Sequence, residues 1–168
     1  MIDFKKKFSE FNNKNVLIIG DSMIDAYTWG EINRKSPEAP VPVIEVKKHE
    51  KRLGGAANVA LNIQSLGANP ILCSVIGNDN NGVIFKKLLK ESSICSKKIL
   101  VDSNKKTTIK TRVIANNQHQ IRIDEEDTNE IKNEDKFISL MLMSGQIELL
   151  KRISELLGLK YKDFYMKI

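Results

Sequence analysis

The sequence predicts an α/β fold, a doubly wound parallel sheet that carries a smaller excursion of β-structure. Three observations lead there. Short continuous apolar runs, Val16 to Gly20 and Ile71 to Ile76, suit strands buried on both faces. Each is followed by a stretch with helical periodicity, Ala56 to Leu66 and Val83 to Glu91, and strand, helix, strand, helix in that order marks a parallel α/β sheet. Between the first run and the first helix, Pro37, Pro40 and Pro42 rule out a long helix, so that segment must be extended.

Val16 to Gly20 is the first strand, and it places Asp21 and Asp25 at or just beyond its carboxyl end, where ligands collect in open α/β sheets. The excursion runs from Tyr27 to Lys48, with extended flanks at Tyr27 to Gly30 and Val41 to Val46. Gly54-Gly55 opens the helix over Ala56 to Leu66, and Gly67 stops it. Ile71 to Ile76 gives the next buried strand and residues 77–82 a polar turn. Val83, Ile84, Leu88 and Leu89 stripe a second helix among lysines. Ile99 to Val101, Thr107 to Ala115 and Gln120 to Asp124 then read as strands, with a turn at Asn116-Asn117; they either extend the excursion into a lid or pair within the main sheet. Apolar positions from Met141 to Leu157 predict a helix over about 133–157.

A chain of 168 residues accommodates one hydrophobic core. With 41% apolar and 29% charged residues it has the composition of a soluble protein, and no run approaches the roughly 20 apolar residues of a membrane span. The first ten residues lack the apolar centre of a signal peptide, which points to the cytoplasm. Cys73 and Cys95 have neither CxxC spacing nor a His/Cys cluster around them, so no metal site is expected and the thiols are idle. The net charge of +6 is spread among lysines interleaved with acids and poor in aromatics, the pattern of a solvated surface and not of a nucleic-acid or membrane partner.

Several residues could carry binding chemistry. Gly54-Gly55 let backbone amides approach a ligand at a helix N-terminus, although glycines there also serve simple chain reversal. Asp25 and Asn58 suit vicinal hydroxyls, a carboxylate accepting hydrogen bonds and a carboxamide doing both; the alternatives are a local cap for Asp25 and a backbone bond for Asn58. Arg34, Arg112 and Arg122 stand out in a lysine-rich chain, because a guanidinium clamps phosphate with two parallel bonds; a surface ion pair, such as Arg122 with Asp124, is the competing account. His49 and His119 read as surface residues. Neither GxGxxG nor GxxxxGK[ST] occurs, which disfavours a Rossmann dehydrogenase and a Walker ATPase.

Taken in order, Gly20-Asp21-Ser22-Met23-Ile24-Asp25, Ser36-Pro37-Glu38-Ala39-Pro40-Val41-Pro42-Val43, Gly54-Gly55-Ala56-Ala57-Asn58 and Thr108-Ile109-Lys110-Thr111-Arg112-Val113 resemble the bacterial heptose 7-phosphate kinases of the ribokinase (PfkB) family. The likeness continues through Asn117 to Asp124 and covers about Asn15 to Glu126. It implies a ribokinase-like fold with a small β-lid, and phosphoryl transfer from ATP with Mg2+ to the anomeric hydroxyl of D-glycero-D-manno-heptose 7-phosphate, on the route to ADP-heptose for lipopolysaccharide. It implies that Asp25, Gly54, Gly55 and Asn58 bind the sugar, with Arg34 and Arg112 as candidates for its phosphate.

The family's catalytic aspartate lies in a Gly-Ala-Gly-Asp motif, and its nucleotide site follows an Asp-Tyr-x-Lys-Gly segment; neither occurs in this sequence. No catalytic residue is therefore assigned, and the nucleotide site is not expected in this chain. The expectation is a truncated kinase half: residues 1–130 as the N-terminal part of the kinase domain with its lid strands, and 131–168 as a helical tail without a family match. Such a half is expected to be inactive alone. The alternative is a noncatalytic assembly module. Its partners would be a sugar phosphate and either a second copy through the β-lid or a complementary C-terminal half.

Overall fold

The computed structural model describes residues 4–12 and 14–127; the helix expected over 133–157 and the segment 131–168 lie outside them. A short helix that the sequence did not predict, α1 (Phe4–Ser9), precedes β1 (Asn15–Ile19). The chain continues through β2 (Ser22–Lys35), β3 (Pro42–Gly55), α2 (Ala56–Ser65), β4 (Asn69–Gly77), α3 (Asn80–Glu91), β5 (Ile99–Asp102), β6 (Ile109–Ala115) and β7 (Gln118–Glu125).

The strands form two sheets. One is parallel, in the order β1-β4-β5, and the other is mixed, in the order β3-β2-β6-β7. Ile99–Asp102 therefore joins the main sheet, whereas the two later strands join the excursion and make it a lid. The excursion is also longer than predicted. It begins at Ser22 and reaches Gly55, since β2 and β3 pair antiparallel along nearly their whole length with shifts at Trp29/Gly30 and Ile32/Arg34. The prolines that exclude helix sit at the tip, so the outer end of the ribbon could be read from the sequence while its inner end, continuous with the core, could not. β6 runs parallel to β2, with Asp25 beside Lys110 and Tyr27 beside Arg112.

One core underlies both sheets. Ile24, Ala26 and Leu53 from the lid strands pack with Ala57 and Ala60 of α2, Leu72 and Ile76 of β4, and Phe85 and Leu89 of α3. Small residues at Ala57 and Ala60, both fully buried, bring α2 close against the strands. Ser74 locks the corner between β1 and β2: its hydroxyl donates to the Gly20 carbonyl at 2.7 Å and accepts from the Ser22 N–H at 3.1 Å.

α3 starts at Asn80, earlier than the apolar stripe predicts, because Asp79 caps it. The Asp79 carboxylate accepts from Gly82 N–H at 2.7 Å and from Thr107 N–H at 2.8 Å, and the Thr107 hydroxyl accepts from Gly77 N–H at 2.9 Å. One carboxylate thus joins the helix start to the segment entering β6. At the other end of β6, Asn116 and Asn117 have φ of 51° and 61°, the left-handed pair that a tight hairpin requires.

Candidate functional site

Alternation along β2 divides its side chains between two faces. Ser22, Ile24 and Ala26 point into the core, and Met23, Asp25, Tyr27 and Trp29 occupy the opposite face, half-buried. Direct pairing puts Arg52 and Gly54 of β3 and Lys110 and Arg112 of β6 on that same face. Asp25 is its centre. Its carboxylate accepts from Arg112 at 2.5 Å, with about a fifth to a quarter of each side chain exposed. That bond holds the Arg112 guanidinium above its usual range, against the opposing effect of burial.

Gly54 lies buried beneath this carboxylate. A β-carbon there would collide with Asp25 Oδ2 and approach Met23 Cγ to 2.8 Å. Gly55 has φ of 57° and precedes α2 without a side-chain cap, while the Asp21 carbonyl takes the Ala56 N–H at 2.9 Å. Asn58 follows on the exposed side of the first turn of α2. Two glycines, a carboxylate and a helix start without a side-chain cap therefore converge at one end of β2, a combination suited to hydroxyl groups.

Tyr27 is the floor beside Asp25. The guanidinium carbons of Arg52 and Arg112 lie 5.0 Å and 5.5 Å from its ring centroid, and Trp29 stacks on it at 6.1 Å and 17°. Sequence reasoning missed Tyr27 and Arg52. The signal was present in the period-2 spacing of Asp25, Tyr27 and Trp29 and of Arg52 and Gly54, but the strands were read too short to carry it.

Arg34 stands apart. It pairs with Val43 near the outer end of the ribbon, nine residues beyond Asp25, beside a cleft lined by Asn33, Val43, Ile44 and Glu45. Arg122 forms the ion pair foreseen as its competing account, with Asp124 at 3.0 Å. Lys110 is held by Asp124 and Glu126 at 3.2 and 3.0 Å. Glu50 takes Arg52 Nε at 2.6 Å and Lys48 at 3.0 Å, which brings its carboxyl down to about 2.

Among the described residues no group of three or more His, Cys, Asp or Glu side chains could hold a metal ion. The start of α3, where a phosphate could otherwise sit, is filled by its own Asp79 carboxylate. No step is assigned to Mg2+ or to a nucleotide among the described residues. No helix among them is long and apolar enough to cross a membrane.

The sequence matches the family model described as pfkB family carbohydrate kinase over residues 13–152. The chain belongs to the pfkB family of carbohydrate kinases. Within it, the chain is 52% identical over 113 residues to the bifunctional protein HldE of Helicobacter pylori strain J99, covering 67% of this chain and 24% of that protein. It is 44% identical over 134 residues to HldE of Campylobacter jejuni subsp. doylei, covering 80% of this chain and 28% of the relative. The chain thus spans about a quarter of the length of the curated relatives it matches. Among solved structures, the Methanocaldococcus jannaschii nucleoside kinase, an archaeal member of the ribokinase family, superposes with a TM-score of 0.51 at 23% identity, over 68% of this chain and 37% of that one. That likeness shows the pfkB kinase fold, in which the parallel sheet and lid described above find their place.

Proposed function

We propose that residues 15–126 form the sugar-binding part of a heptose 7-phosphate kinase, with Asp25, Gly54, Gly55 and Asn58 taking the hydroxyls of the sugar. One observation carries the reading: Gly54, lacking a side chain, lets the Asp25 carboxylate rest against the strand backbone next to a helix start without a side-chain cap, which sets a carboxylate for sugar hydroxyls at that end of β2. The HldE relatives and the Ser36 to Val43 segment support the heptose assignment over other sugars. Asp25, ion-paired with Arg112, accepts hydrogen bonds from the sugar hydroxyls and orients the ring; Arg112 is the candidate of the two arginines that stands close enough to meet the phosphate of the same ligand.

Phosphoryl transfer from ATP with Mg2+ is the activity of the family, and the work is set in the cytoplasm in this reading. The described residues supply binding and orientation. No base for the acceptor proton is assigned among the described residues, and in this reading the chain alone binds without turning over.

Calorimetry of the chain with D-glycero-D-manno-heptose 7-phosphate tests the first part: saturable binding that Asp25→Asn abolishes is expected, and absence of binding overturns it. A phosphotransfer assay with ATP and Mg2+ tests the second, since turnover at roughly 1 to 100 per second would contradict a binding-only half.

A second reading, an assembly module, is favoured by one feature. Ile121 and Ile123 on β7 are 56% and 49% exposed, next to Val113 and Thr111 of β6, which gives the lid an apolar strip suited to a second copy or a complementary half.

A further inference from the structure

Two cations face Asp25 directly across the sheet, Arg52 on β3 and Lys110 on β6, yet neither is its partner. Asp25 Oδ1 accepts instead from Arg112, which lies diagonally, beside Tyr27. We infer that Glu50 is a positioning residue for the sugar site: by holding Arg52 it keeps that guanidinium off Asp25 and leaves the second carboxylate oxygen open to a sugar hydroxyl. This rests on the sugar-site reading above and deepens it by naming the residue that keeps the site unblocked.

Directly opposed residues of an antiparallel pair have β-carbons about 5 Å apart, well within the reach of an arginine for a carboxylate. Arg52 therefore has two acceptors on one face of the sheet, Asp25 across the pair and Glu50 two residues back along its own strand. It takes Glu50, through Nε at 2.6 Å. The guanidinium is held above its usual range by Glu50 first, with a smaller contribution from Asp25, so the charge of Asp25 already reaches it. Lys110 is turned aside in the same way, by Asp124 and Glu126 at 3.2 and 3.0 Å.

What these pairings spare is Asp25 Oδ2. It lies over Gly54, and no donor among the described residues meets it. A second guanidinium on this oxygen would have to be displaced before a hydroxyl could bind, and that displacement weakens any ligand that needs it. Arg52 and Lys48 together bring the Glu50 carboxyl down to about 2, so Glu50 stays ionised and keeps its hold through the neutral range. With 24% of its side chain exposed against 57% for Arg52, Glu50 is the more enclosed of the two and fixes the pair.

The test is a double-mutant cycle on the full 168-residue chain, read by calorimetric titration with D-glycero-D-manno-heptose and with its 7-phosphate. Glu50→Gln, which keeps the shape and removes the charge, should weaken both sugars by roughly threefold to fivefold, the strength of a partly exposed ion pair. The same substitution made in Arg52→Gln should cost nothing, since no guanidinium is left to swing onto Asp25. A loss that persists without Arg52, a loss confined to the phosphorylated sugar, or no loss at all would each overturn the role of Glu50 while leaving the sugar site standing. A ligand-free readout is the Nε–H resonance of Arg52 by NMR. In Glu50→Gln it should move when Asp25→Asn is added, and a resonance indifferent to Asp25 would overturn the proposal. A wild-type chain that binds neither sugar would overturn the sugar-site reading, and the NMR comparison would still decide whether Glu50 keeps Arg52 off Asp25.

Discussion

At the scale of single residues, Gly54 determines where the Asp25 carboxylate can rest. In Gly54→Ala the new methyl meets the side chains of Asp25 and Met23, so the fold can adjust only by moving both, Asp25 away from Arg112. Losing a partly exposed ion pair of this kind costs up to about 1 kcal/mol of stability. Sugar binding should suffer more, by about tenfold or 1.4 kcal/mol, because the displaced carboxylate no longer faces the ligand. Thermal melting and calorimetry on the same variant separate the two effects, and a variant that melts far lower yet binds normally would contradict the cradle. Asp25 and the two glycines were legible in the sequence because motif order marks them. Tyr27 and Arg52 were not, since an aromatic residue and a charge one strand apart meet only once register is known.

At the scale of the element, Asp79 couples α3 to β6. Burial raises its carboxyl, but the N–H groups of Thr107, Gly82 and Asn81 and the Thr107 hydroxyl outweigh burial and leave it below the ordinary carboxylate range. A depressed folded value means the stabilisation is complete above the usual carboxyl value of 3.8 and is lost as pH falls through the lower folded one. Asp79→Ala should therefore cost about 1–2 kcal/mol at neutral pH, from the lost cap and the orphaned Thr107 N–H. Denaturant midpoints of the two proteins, measured from pH 7 downward, should converge below pH 3.8; a gap that stays constant would exclude this carboxylate as its source. The apolar stripe of α3 could be read from sequence, but its first turn could not, because Asn80 to Gly82 look like loop until a distant Thr107 fixes the cap.

For the whole molecule, two arrangements of the late strands were open from sequence, and the structure divides them: the four-residue β5 completes the parallel sheet and β6–β7 widens the lid. Alternation alone could not decide this, since a short apolar strand fits either sheet. The exposed strip at Ile121 and Ile123 belongs to this scale too. Ile121→Lys with Ile123→Lys should reduce any concentration-dependent association in sedimentation, and unchanged association would place the contact elsewhere. The parallel pairing of β2 with β6 has one more consequence, for the chain as it leaves the ribosome. The β2–β3 hairpin is local and can form once residue 55 has emerged, yet one flank of β2 stays open until residues 109–115 arrive more than fifty residues later. During that interval the nascent hairpin offers a bare hydrogen-bonding edge to any neighbouring strand, so its solubility is most at risk before synthesis of β6.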